Sequence, residues 1–89
     1  MLSQLEVREA LVEVLSRIEG YDSAVIEAAI VSRGGDDQYE LDSKVAESVI
    51  AGLEVLLGVH LPGPADLNRR QFATIGALIR LVLPVAMAA

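Results

Sequence analysis

The chain contains no cysteine. It therefore forms no disulfide, no cysteine-ligated zinc site and no thiol nucleophile. It has one histidine, His60, which excludes a histidine zinc cluster and a His–Cys dyad and leaves His60 as an ordinary loop residue. Aromatic residues are scarce, at 3%, although 53% of the residues are hydrophobic. The core must then be built from Leu, Ile, Val and Ala, which suits helices packed by aliphatic side chains. Basic residues are outnumbered, seven to thirteen acids, for a formal net charge of −6. That balance lacks the basic footprint of a nucleic-acid binder. Nine of the acids lie between Glu19 and Glu54, with only Arg33 and Lys44 among them. Such a stretch is either a solvated face or a match for basic partner surfaces.

Long hydrophobic runs are missing too. The first ten residues, MLSQLEVREA, carry acids and no apolar core, so a secretory signal is not expected. The apolar end, from Ile75 to Ala89, is interrupted by Arg80 and Pro84 and falls short of the roughly 20 residues a membrane span needs. A cytoplasmic chain is the expectation. No segment alternates with period two long enough to suggest a strand, and there is no internal repeat or domain boundary. The 89 residues fit one domain with a modest core.

What is present is helical periodicity. Ser3 and Glu6 have the capping-box spacing, which predicts a helix over about 4–18. Val7, Leu11, Val14, Leu15 and Ile18 form its apolar face, Glu13 and Arg17 an i,i+4 pair, and Gly20 its stop. Asp22 or Ser23 caps a short helix over about 24–33, ended by Gly34-Gly35. GGDDQYEL reads as a loop. Val45, Ala46, Val49, Ile50, Leu53, Leu56 and Leu57 recur at helical spacing. With Asp42 as N-cap and Gly58 as terminator, they predict a helix over about 43–57. VHLPGPAD cannot be helical. A short helix or turn over about 65–71 precedes a last helix over about 74–83, capped by Thr74, with Ile75, Leu78, Ile79 and Val82 inward and Pro84 limiting its end. Residues 84–89, including Met87, form an apolar tail that covers the bundle or lies free.

The run LDSKVAESVIAGLEVLLGVHLPGPADL, followed by FATIGALIRLV, resembles the acyl carrier protein family, including its peptidyl and aminoacyl carrier relatives. In that family an Asp-Ser pair opens a helix, which ends in a G-V-x-L-like stretch, and a T-[IV]-x-x-L segment opens the last helix. The likeness covers roughly residues 41–82 well and the first helix loosely. It implies an all-α, acyl-carrier-like bundle of three main helices plus one or two short ones, with a carrier domain over 1–83. It also implies that Ser43 carries a 4′-phosphopantetheine arm taken from coenzyme A. Asp42 would then cap the helix and aid recognition by a phosphopantetheinyl transferase. The chain would itself be no enzyme. It would act as a monomer, with ligases or synthases loading an acyl or aminoacyl group as a thioester.

The residues allow this chemistry independently. The first turn of a helix presents unpaired N–H groups and a positive dipole end, which favour a phosphodiester there by roughly 0.3–1 kcal/mol per interaction. The bland alternative is a plain cap beside an unmodified serine. In that case the chain is a helical adaptor that binds a partner through the same helix. Asp22-Ser23 is a second Asp-Ser pair, but no G-V-x-L stretch or final helix follows it at the right distance, so it reads as a plain cap.

Three departures from the family bear on partners. Lys44, the only lysine, replaces the usual apolar residue after the serine; it is placed to meet the arm's phosphate, a partner, or Glu40, Glu47 or Ser48. Glu40 stands where a glycine is common. The outer side of the helix holds Val45, Ser48, Ala51, Glu54 and Val55 as partner-binding candidates, where housekeeping fatty-acid carriers line that side with acids. A specialised carrier fits better. Asp36, Asp37, Glu40 and Asp42 lack the spacing of a calcium loop and read as a solvated loop. Arg69 and Arg70 read as surface charges or partner contacts.

Overall fold

A computed structural model describes residues 2–88. The described residues form four helices: α1 (Gln4–Glu19), α2 (Ser23–Arg33), α3 (Ser43–Leu57) and α4 (Ile75–Ala88). Three single 3-10 turns lie between them, Asp36–Gln38, Pro64–Asp66 and Arg69–Gln71. The protein is a small all-α bundle. Among the described residues the nearest approach to a strand is one isolated bridge between Glu40 and Thr74.

The helix starts follow from local chemistry. Ser3 Oγ accepts the Glu6 N–H at 3.2 Å, and Glu6 Oε1 accepts the Ser3 N–H at 3.1 Å, which completes the capping box. Thr74 Oγ1 accepts the Ala77 N–H at 3.0 Å and opens α4. Asp22 occupies the N-cap position of α2, but its carboxylate makes no capping hydrogen bond. It therefore does not serve as the side-chain cap that its position suggests.

α1 is the hub, packing against α2, α3 and α4. Leu11 and Leu15 of α1, Ile30 of α2, Leu53 of α3, and Ile75 and Leu78 of α4 are fully buried. Of the expected inward residues, Val7, Val14, Val49, Ile50, Ile79 and Val82 are buried too. Ile18 and Leu56 are not, at 40% and 43% exposed. They stand at the rim of a groove between α1 and α3. Both sit near the ends of their helices, where the apolar stripe outruns the surface that covers it.

The expected stop at Pro84 is not observed, because α4 continues through it to Ala88. A proline inside a helix leaves the carbonyl four residues back without its donor. Here that carbonyl belongs to Arg80, an exposed residue, where water can satisfy it. Val82 and Ala86 are buried on either side of the proline and hold the segment on the core. Met87 is 45% exposed. The expected helix or turn over 65–71 is two separate 3-10 turns. Among the described residues no helix is long and apolar enough to cross a membrane.

Candidate functional site

The Asp-Ser pair lies at the start of α3. Asp42 is the N-cap, and its Oδ1 accepts the Val45 N–H at 2.8 Å. The Asp42 carbonyl accepts the Ala46 N–H at 2.9 Å. Ser43 is the first helical residue and is exposed. The N–H groups of Ser43 and Lys44 have no intrahelical acceptor at these positions. An anion bonded to Ser43 Oγ would therefore meet free donors and the positive end of a fifteen-residue helix.

The loop that delivers Asp42 is braced from several sides. Arg8 of α1 binds Glu27 through two hydrogen bonds of 2.7 Å and reaches Asp36 at 3.0 Å. These bonds hold the Glu27 carboxyl below the usual carboxylate range and raise the Arg8 guanidinium above its own. Asp37 pairs with Arg80 of α4 at 3.0 Å. The Arg33 guanidinium lies 4.2 Å from the ring centre of Tyr39, a cation–π contact. Next to these, the Leu41 N–H donates to the Ala73 carbonyl at 2.7 Å, and the Ile75 N–H to the Tyr39 carbonyl at 3.2 Å. Asp37, Glu40 and Asp42 are exposed, as expected of a solvated loop, and the loop is anchored as well. Asp36 and Asp37 are occupied by arginines, and among the described residues no group of three His, Asp or Glu is placed to hold a metal ion.

Two concavities flank Ser43's helix. A polar cleft of about 180 Å³ lies beside the cap, lined by Glu19, Arg33, Glu40 and Asp42 together with Tyr39, Leu41 and Val45. A groove of about 340 Å³ runs between α1 and α3, mostly apolar, with Val14, Ile18, Gly52, Val55 and Leu56 in its walls. α1 and α3 come close here because Gly52 has no side chain, and a Cβ added there would lie 2.5 Å from a Val14 methyl.

The outer-face candidates separate into different settings. Ser48 and Val55 line the apolar groove, Val55 being 86% exposed. Ala51 is exposed, and Val45 is half-buried at the polar cleft. Glu54 turns away from both: its Oε2 accepts the Leu61 N–H at 3.0 Å and lies 3.3 Å from His60 Nδ1. Lys44 is exposed and makes no ion pair among the described residues. Ser48 Oγ donates to the Lys44 carbonyl at 3.2 Å, not to its ammonium. Ser23 also opens a helix and is exposed, but its Asp22 gives no side-chain cap. Sequence reasoning missed Arg33, Ile18 and Leu56 as lining residues. The signal for the last two was their place at the ends of apolar stripes; for Arg33 there was none. Comparisons with protein-family models, curated proteins and solved structures find no match.

Proposed function

We propose that the chain is a specialised acyl carrier protein that bears a 4′-phosphopantetheine arm on Ser43 and presents an acyl or aminoacyl thioester to partner enzymes. The observation that carries this reading is an exposed serine at the first position of α3, next to an aspartate that caps the same helix. In a phosphopantetheinyl transferase, Ser43 Oγ would attack the phosphorus that carries the pantetheine arm of coenzyme A. The pyrophosphate P–O bond would break with adenosine 3′,5′-bisphosphate leaving, and the serine proton would pass to a base of the transferase. The arm would remain on Ser43 as a phosphodiester. The carrier itself needs no base or oxyanion hole, and ligases or synthases would load the arm's thiol. The anchored loop supports the reading, because a transferase gains from meeting its serine in a fixed position. The acids of the polar cleft suit a basic patch on such an enzyme. The scarcity of acids along the outer side of α3 favours a dedicated partner over a housekeeping fatty-acid system.

Intact mass after incubation with coenzyme A and a broad-specificity transferase tests this. The wild-type protein and Ser23→Ala should each gain one arm, and Ser43→Ala none. With no cysteine in the chain, the unmodified protein should not react with a thiol reagent and the modified one should titrate as one thiol. Labelling of Ser43→Ala would defeat the assignment. A second reading, an unmodified helical adaptor, rests on the exposed Val55 in the groove between α1 and α3. It gains if the wild-type protein takes no arm.

A further inference from the structure

Charge in this chain is divided by position. All thirteen acids and four of the seven bases lie in residues 1–66, while residues 67–89 contain Arg69, Arg70 and Arg80 and no acid. The fold brings two of them together, with the third next in sequence to one. Arg69 and Arg70 sit in the 3-10 turn that precedes α4, and this turn packs against α4. Arg70 and Arg80 then line one cavity of about 300 Å³ with Gln71, Ala77 and Leu81. Asp37 takes one nitrogen of Arg80 at 3.0 Å, which leaves the other donors of its guanidinium. Arg69 and Arg70 are exposed and make no ion pair among the described residues.

We infer that this face is a docking surface for an acidic polypeptide segment of a partner protein, built from residues other than the Asp42–Ser43 pair. Charge complementarity selects the partner. Guanidinium groups hold carboxylates in a planar, two-bond geometry that a lysine cannot match, and every cation on this face is an arginine. The cavity joins Arg70 and Arg80 to the aliphatic side of Leu81 and Ala77, which suits glutamates flanked by apolar side chains more than a bare inorganic anion. A second copy of this chain, which also carries a net charge of −6, is the competing occupant, and concentration-dependent shifts without peptide would reveal it. Repulsion between an acidic peptide and the chain's net charge of −6 weakens beyond a Debye length of about 8–10 Å, so the nearby arginines dominate. The inference does not depend on modification of Ser43.

Titration of the unmodified protein with a synthetic Glu- and Leu-rich peptide, followed by amide chemical shifts, tests it. Shifts should concentrate on residues 69–71 and 77–81 and fade as ionic strength rises from about 0.05 to about 0.5 M. The peptide with Gln in place of Glu should not bind. Arg70→Glu should weaken binding about tenfold or more, whereas Arg17→Glu, the same change in net charge on α1, should weaken it less than about threefold. Arg70→Gln gives a milder second variant should the reversal disturb the turn. Shifts centred on α3, equal losses from Arg70→Glu and Arg17→Glu, or no binding would each overturn the proposal. So would inorganic phosphate moving the same amides as strongly as the peptide, or concentration-dependent shifts without peptide, which would mean self-association.

Discussion

Lys44 follows the candidate attachment residue directly, yet nothing in the fold depends on it. Its side chain is exposed and unpaired among the described residues. Changing it to leucine should alter unfolding free energy by less than about 0.5 kcal/mol, the usual range for such a surface position. Its effect should fall on partner choice. A partner with an apolar docking patch would have to bury an unpaired ammonium, which is costly, so the lysine discriminates against that class. If Ser43 carries the arm as proposed, then with the wild type and Lys44→Leu both fully modified, Lys44→Leu should be accepted faster by a housekeeping fatty-acid synthase and loaded more slowly by a dedicated enzyme. Equal rates in both assays would reduce Lys44 to a surface charge. Glu54 shows the opposite case. It sits on the outer side of α3, and its carboxylate also holds the backbone of the segment after α3, so changing it would disturb the fold as well as any partner contact.

Two glycines show how closely the elements approach. An alanine at position 52 would put its Cβ 2.5 Å from a methyl of Val14, a buried and β-branched residue with few alternative rotamers. Overpacking of roughly 1–3 kcal/mol should outweigh the helix-propensity gain of about 1 kcal/mol, and Gly52→Ala should be destabilising. An alanine at position 76 would put its Cβ 1.9 Å from Asp37 Oδ1, but this side chain is 62% exposed and can swing away. Losing that exposed ion pair costs about 0–1 kcal/mol, so Gly76→Ala should be close to neutral. Denaturant unfolding of both variants checks the contrast, and an equal loss in both would mean that the loop of Asp37 is as rigid as the core. The end of α4 gives a further test. Cutting the chain after Leu83 would remove the buried Ala86 and half-buried Val85, and should lower stability by on the order of 1 kcal/mol. No loss would return residues 84–88 to the status of a free tail.

At the scale of the whole molecule, Arg8 ties α1 to α2 and to the loop before α3. This makes stability depend on acid. The Glu27 carboxyl is held below its ordinary value of 4.5 by Arg8. Its contribution is therefore complete above about pH 4.5 and is lost as the pH falls from there through the lower folded-state value. Glu27→Gln should unfold at a lower temperature than the wild type near neutral pH. The gap should narrow as the pH is lowered below about 4.5. A gap unchanged with pH would show that the glutamine disturbs packing and that the ion pair contributes little. The arginines of residues 67–89, a stretch without acids, add a second electrostatic feature to an acidic molecule.

Some of this was legible in residue order. Capping signals at Ser3, Asp42 and Thr74 mark helix starts because the first turn needs acceptors for its N–H groups, and a Ser, Thr or Asp supplies one from its own position. The core of Leu11, Leu53 and Leu78 could be read because a buried stripe repeats with the helix period. Short-range rules of this kind depend on neighbours within four residues, and a sequence displays those directly. What tertiary structure decided depends on residues far apart in the chain. Arg8 meets Asp36 across 28 positions, and Glu40 meets Thr74 across an entire helix. That pairing turns an acidic loop into the mount for Asp42. Pro84 stays in a helix because burial on both sides outweighs one missing hydrogen bond. Glu54 became a brace because the chain after α3 folds back within its reach. No periodicity encodes such meetings, since they are set by how the helices pack and not by their spacing along the chain.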